Sequence, residues 1–188
     1  MVSDNLLSHD DNKVIPPLIL TTYHRMGFKL VPLAEDSKTP TVSSTNDIYN
    51  DPNYWTEEKL IIDCSRFSNI ATFGITYTLE GQANENKIMC LHCLDIDSDN
   101  VLAILFDLVE ELKSKTFVTK TKKDCGYHIY RLSHTQHQPI GVSKCKPGYE
   151  FEIKSDNSLG LCTLPPSIHR DDPAFRYRKY RTRLHNNY

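Results

Sequence analysis

Three short patterns in this 188-residue chain gather side chains that could do chemistry. The first is Asp95-Ile-Asp97, two carboxylates at the end of the apolar run Ile88–Ile96. If that run is a strand, its two-residue period sets both carboxylates on one face, with Leu94 and Ile96 on the other. Two like charges so close call for a cation. Mg²⁺ is suited to them, because it takes oxygen ligands and commonly uses one or two carboxylates together with substrate phosphates. A plainer role competes: Asp97-Ser98-Asp99 would also cap a following helix. The second pattern, Glu150-Phe-Glu152, alternates in the same way and could add a third carboxylate to a two-metal phosphoryl-transfer site. Polar alternation is equally what an exposed strand face displays. The third is His128, preceded by Gly126-Tyr127 and by Lys120, Lys122 and Lys123. Clustered cations attract polyanions, so this histidine could meet a phosphate; otherwise it is a structural strand residue. Pro165-Pro-Ser167-Ile-His169 adds a Ser-x-His without the orienting acid and oxyanion loop of a hydrolase, and reads equally as a stiff turn.

These side chains need elements to position them. Pro16–Met26 has an apolar face, an early proline and Gly27 just after it, which predicts a helix. Phe28–Leu33 follows as a strand, and the polar stretch from Ala34 to Asn53 as a long surface loop. Trp55 opens a short helix with Glu57 and Glu58 in its first turn. Asn69–Tyr77 reads as a strand, Glu80–Asn86 as a turn and Ile88–Asp97 as the most apolar strand. A helix over about 100–113 comes next, then a strand at Thr116–Thr121. That strand–helix–strand order predicts a right-handed parallel crossover and an α/β architecture. Tyr127–Leu132, Tyr149–Lys154, Leu159–Leu164 and Phe175–Tyr180 read as further strands of an antiparallel sheet.

The composition bounds the function. With 39% hydrophobic and 24% charged residues the chain is of ordinary globular type. No apolar run reaches the roughly 20 residues of a membrane helix, and the polar, acidic start is no secretory signal, so a cytoplasmic location is expected. The formal charge of −2 hides a division: residues 1–110 carry 7 Lys and Arg against 17 Asp and Glu, and residues 111–188 carry 15 against 7. The basic second half suggests an anionic partner. Six cysteines without a secretory signal are expected to be reduced. Cys90-x-x-Cys93 has no second pair to complete a zinc site and sits in a strand where cysteine packs as a small hydrophobe, so no zinc is expected.

Each pattern is weak alone, but their order is not. A strand ending in Asp95-x-Asp97, a helix, a strand, Gly126-x-His128, Glu152-Ile-Lys154, Pro165-Pro-Ser167-x-His169 and an aromatic strand together resemble the archaeo-eukaryotic primase superfamily. Within it the chain is most similar to the bifunctional primase-polymerase domain of archaeal plasmids, viruses and integrated elements. The resemblance runs from Gly27–Leu33, Lys38-Thr-Pro40 and Trp55, through Asn69–Gly74, to about Tyr180.

It implies a template-directed nucleotidyltransferase, a DNA primase and polymerase using two Mg²⁺ or Mn²⁺ ions. Asp95, Asp97 and Glu152 match the metal-binding acids, with Glu150 in reserve, and His128 matches the residue that contacts the incoming nucleotide's phosphates. Gly126, Lys154, Ser167, His169 and Lys38 fall where the family lines its nucleotide pocket. The implied fold is α/β (α+β), an RRM-like catalytic sheet with a smaller N-terminal α/β module. One catalytic domain is expected, with modules at about 14–86 and 87–180 and a tail over 181–188 leading to further domains. The implied partners are a single-stranded DNA template, a primer, dNTP or NTP, and a helicase domain in the same or an associated chain; no membrane is involved. The chain departs from the family at Lys123-Asp-Cys125, where Ser-Gly-Gly is common, and carries no zinc-stem cysteine cluster. A metal-dependent nuclease, or a catalytically silent nucleic-acid or nucleotide-binding module of a replication helicase, are the alternatives.

Overall fold

The computed structural model describes residues 14–26, 28–35, 38–41, 56–73, 76–78, 88–121, 124–133, 140–141, 145–154 and 161–179. Gly27, most of the 34–53 loop, Trp55, Gly74, the 80–86 turn, Lys122, Lys123 and the tail beyond 179 lie outside the described residues. In chain order the elements are α1 (Pro17–Arg25), β1 (Leu30–Leu33), α2 (Glu57–Cys64), β2 (Asn69–Phe73), β3 (Thr76–Thr78) and β4 (Ile88–Ile96). They continue with α3 (Asp99–Lys115), β5 (Val118–Lys120), β6 (Tyr127–Ser133), β7 (Phe151–Lys154), β8 (Leu161–Thr163), β9 (Ile168–His169), β10 (Asp172–Arg176) and β11 (Arg178–Lys179). This is a mixed helix-and-strand fold of the α+β kind. Among the described residues no helix is long and apolar enough to cross a membrane.

The larger sheet runs β11-β5-β6-β4-β3, and β7 pairs with the stretch of β4 beyond β3. The smaller sheet is β1-β2-β8. One expectation is refined and one needs correction. β4 and β5 run parallel in one sheet across α3, as the crossover predicts, but they are not neighbours: β6 inserts between them and pairs antiparallel with both. The short link from β5 to β6 allows this, because adjacent antiparallel strands need only a tight turn. The predicted single strand Asn69–Tyr77 is two strands in two sheets, β2 beside β1 and β3 beside β4.

The helices form for local reasons. The Ser98 hydroxyl accepts from the Val101 amide and starts α3, and Lys113 and Lys115 sit in its last turn, where cations suit the helix dipole. Thr56 caps α2 through the Lys59 amide. Helix α3 covers one face of the larger sheet, where Val101 and Val109 pack against Ile96, Val118 and Ile129. On the opposite face, Cys93, Phe117 and Tyr130 merge with Leu20, Leu30, Ile70 and Leu164 into one core shared by both sheets. The smaller sheet takes β8 from the second half of the chain, so β2 lies between an early and a late strand. The candidate site lies at the margin of this shared core.

Candidate active site

Strand register places the site. Asp95 on β4 is the direct neighbour of His128 on β6 and of Glu152 on β7, and His128 faces Thr119 on β5. The row Thr119–His128–Asp95–Glu152 therefore crosses four strands on the face away from α3. The next row on that face pairs Cys93 with Tyr130 and with Lys154. Directly opposed side chains stand about 5 Å apart at Cβ, so both rows are in mutual contact. Asp97 lies just past the end of β4, half-buried, with its amide donating to the Glu150 carbonyl at 3.4 Å. The capping expected of Asp97-Ser98-Asp99 is present, and Ser98 is the residue of the triplet that performs it.

Charges on this face are tightly arranged. The Lys154 ammonium donates to Asp95 Oδ2 at 2.6 Å and lies 3.3 Å from Glu152 Oε2. His128 Nε2 is 3.4 Å from Asp95 Oδ1, within ion-pair range, and its Nδ1 is 3.3 Å from the Tyr130 hydroxyl. Burial opposes ionisation of Asp95, yet His128 and Lys154 outweigh it and hold the carboxyl well below the usual carboxylate range. Burial likewise opposes charge on Lys154, but the Cys162 sulfur and the Asp95 carboxylate keep its ammonium well above the usual lysine value. Below this row, Cys93 on β4 donates toward Cys162 on β8; burial and that contact push the Cys93 thiol up.

The remaining predicted residues divide. Gly126 is buried and its carbonyl accepts from the Thr121 amide, fixing the entry to β6. His169 is buried, and its Nδ1 accepts from the Asp171 amide at 3.2 Å. Lys38 is exposed near Asp171, whose carboxyl is held down first by Arg170, with His169 and Lys38 adding to it. Ser167 is placed differently from the expectation. Its hydroxyl accepts from the Ile70 amide at 2.9 Å and donates to the Ile70 carbonyl at 3.1 Å, fully buried. Both capacities are used to fasten the Pro165–His169 turn to β2, so this hydroxyl does not line a pocket. Glu150 turns away as well: its Oε1 accepts from the Gly148 amide at 2.7 Å, at a glycine with φ of 83°, while Glu152 stays on the Asp95 row.

Two residues escaped the sequence reading. The ring of Tyr177 stacks on His169 at 5.8 Å and lies 6.1 Å from His128, so one aromatic ring bridges the two histidines. Its amide donates to the Ser167 carbonyl, and burial raises its hydroxyl to about pKa 12. Its only sequence signal is an aromatic residue a few positions beyond the Pro-Pro turn. Cys162 carried no signal beyond being a cysteine in an apolar strand.

Whether the residues suit a divalent metal rests on their donors. Asp95 and Glu152 share one face, Asp97 follows just beyond the end of β4, and Asp95 Oδ1 is buried with His128 Nε2 at 3.4 Å as its near polar neighbour; carboxylate oxygens are the hard donors such an ion prefers. The donor set fits. As the side chains stand, though, no three His, Cys, Asp or Glu residues among those described converge to hold an ion, and Lys154 supplies the positive charge between Asp95 and Glu152.

Comparison with known proteins follows the same direction. No curated protein matches the chain. A family model described as "Bifunctional DNA primase/polymerase, N-terminal" matches residues 20–185, most of the chain and every site residue named above.

Proposed function

We propose that this chain, which belongs to the bifunctional DNA primase/polymerase family, is a template-directed nucleotidyltransferase whose centre is the His128–Asp95–Glu152 row. Membership gives the general activity class, DNA primase and polymerase. The assignment to particular residues is carried by one observation: Asp95 is the immediate cross-strand neighbour of both His128 and Glu152. Asp95, Asp97 and Glu152 would hold two Mg²⁺ or Mn²⁺ ions. When bound, such ions neutralise charge on the attacking and leaving oxygens of phosphoryl transfer.

The chain's own groups do the positioning. The β4, β6 and β7 backbones fix the three side chains on a rigid sheet, so their spacing costs no reorganisation during reaction. His128 would orient the incoming triphosphate, itself held in place by the Tyr130 hydroxyl and the Tyr177 ring. His169, on the far side of Tyr177, would reach the nucleotide, and Lys38 would add charge at the rim. Lys154 would meet the nucleotide's phosphates.

The RRM-like description suits the larger sheet, with α3 on one face and the site on the other, within a single catalytic domain. Basic side chains at the β5–β11 edge would take template or primer phosphates. Arg178 is paired with Lys120, and Lys120 and Lys113 lie 4.1 and 5.1 Å from the Tyr127 ring centroid. Like charges in register repel unless an anion joins them. A cytoplasmic replication role beside a helicase domain follows from the same reading.

The test is incorporation of the template-dictated nucleotide with Mg²⁺ or Mn²⁺. Asp95→Ala and Asp97→Ala should each lose about a hundredfold or more, the scale of losing directed charge stabilisation. Wild-type rates in either variant would sink the residue assignment.

A further inference from the structure

We infer that the Lys154 ammonium is a resident counter-ion in the place of a divalent cation, and that metal enters only as Lys154 leaves Asp95 and Glu152. This rests on the reading that these carboxylates take metal. Lys154 lies on β7, two residues beyond Glu152 and hence on the same strand face, with its side chain 14% exposed. Its Nζ touches both acids, at 2.6 Å and 3.3 Å. An ammonium and a divalent ion on the same carboxylate repel strongly at such distances, since little water screens a buried site. The lysine stem is flexible and its charge compact, so the head can swing off without moving β7. Asp95 Oδ1, which faces His128 Nε2 at 3.4 Å and is not held by Lys154, is the atom left for the first contact with an ion while Oδ2 is still held. Once displaced, the same ammonium is free to meet phosphate, which reconciles the ion pair with a place in the nucleotide pocket. The lysine thereby keeps two acids together before loading and withdraws as the ions arrive.

Mn²⁺ titrated into the nucleotide-free chain, with free ion read by electron paramagnetic resonance, tests this without any turnover. Lys154→Met should bind Mn²⁺ about tenfold or more tightly than wild type, because a competing charge has gone. Asp95→Asn should lose that binding. Unchanged or weaker binding in Lys154→Met, alongside loss in Asp95→Asn, would overturn the inference and leave the metal reading standing. Wild-type binding in Asp95→Asn would overturn the metal reading itself, and the inference with it. Should Lys154→Met fail to fold, the wild-type chain answers through the ¹⁵N signal of the Lys154 ammonium, assigned by its loss in Lys154→Arg. That signal should shift on saturation with Mg²⁺; a signal that stays in place overturns the inference.

Discussion

Asp95 is the residue on which the site turns, and its environment makes a prediction about acid. In the unfolded chain its carboxyl titrates near pH 4, while in the fold Lys154 and His128 hold it well below that. A depressed carboxyl stabilises the fold fully above the unfolded value and loses that contribution as pH falls toward the folded one. Lys154, held high, keeps its side of the pair up to and beyond the ordinary lysine value near 10. Urea unfolding followed from about pH 5 to pH 2.5 should thus fall less steeply for Asp95→Asn than for wild type; parallel curves would contradict the ion pair. Ser167 makes the complementary case. Ser167→Ala leaves the buried Ile70 amide and carbonyl without their side-chain partner and should cost about 1–3 kcal/mol in denaturant unfolding. Nucleotide affinity of the folded fraction should stay at the wild-type value, and a large loss there would return Ser167 to the pocket.

The elements show what spacing can and cannot tell. Two-residue alternation was enough to place Asp95 on the face opposite Leu94 and Ile96 and Glu152 on the face opposite Phe151 and Ile153, because it depends on backbone geometry alone. It could not separate Glu150 from Glu152, which share parity; they differ in the fold through the pairing of β7 with β4, which sets Glu152 beside Asp95, and through the Gly148 amide, which binds Glu150. The order of the strands was likewise out of reach: alternation does not say which strands are neighbours, and β6 turns back from β5 to pair with β4, far away in sequence. The Lys154 ion pair follows from the same register and has no motif of its own. Ser167 misled because a motif names a side chain and not its direction. Helix α3, by contrast, was legible nearly to its ends, for its cap and its apolar stripe are local. Ser98→Ala should therefore cost about 1 kcal/mol of stability, read by thermal or urea unfolding. A change near zero would show that the cap is replaced by another partner.

At the scale of the whole molecule, two sheets share one core, and the site lies where they meet. Phe28 of the N-terminal stretch packs edge-to-face against Phe117 and Tyr130 of the second half of the chain, and the Tyr23 hydroxyl donates to the Pro165 carbonyl at 2.8 Å. The near-neutral total charge gave no hint of a polyanionic partner, whereas the β5–β11 edge gathers Lys120, Arg178 and Lys179. Binding of single-stranded DNA should weaken steeply with salt, and each of Lys120→Glu and Lys179→Glu should lower the log–log slope by about 0.7. A slope unchanged in both would move the nucleic acid elsewhere.

The central claim is that template-directed transfer runs on the Asp95 row, and one comparison reaches it directly: primer extension on a single-stranded template with Mg²⁺ or Mn²⁺, using Glu152→Gln beside Glu150→Gln. Glu152→Gln should lose about a hundredfold or more of the template-dictated incorporation, as expected for a group at the reacting phosphates, with Glu150→Gln close to wild type. Equal activity in the two variants, or incorporation indifferent to the template base, would contradict it.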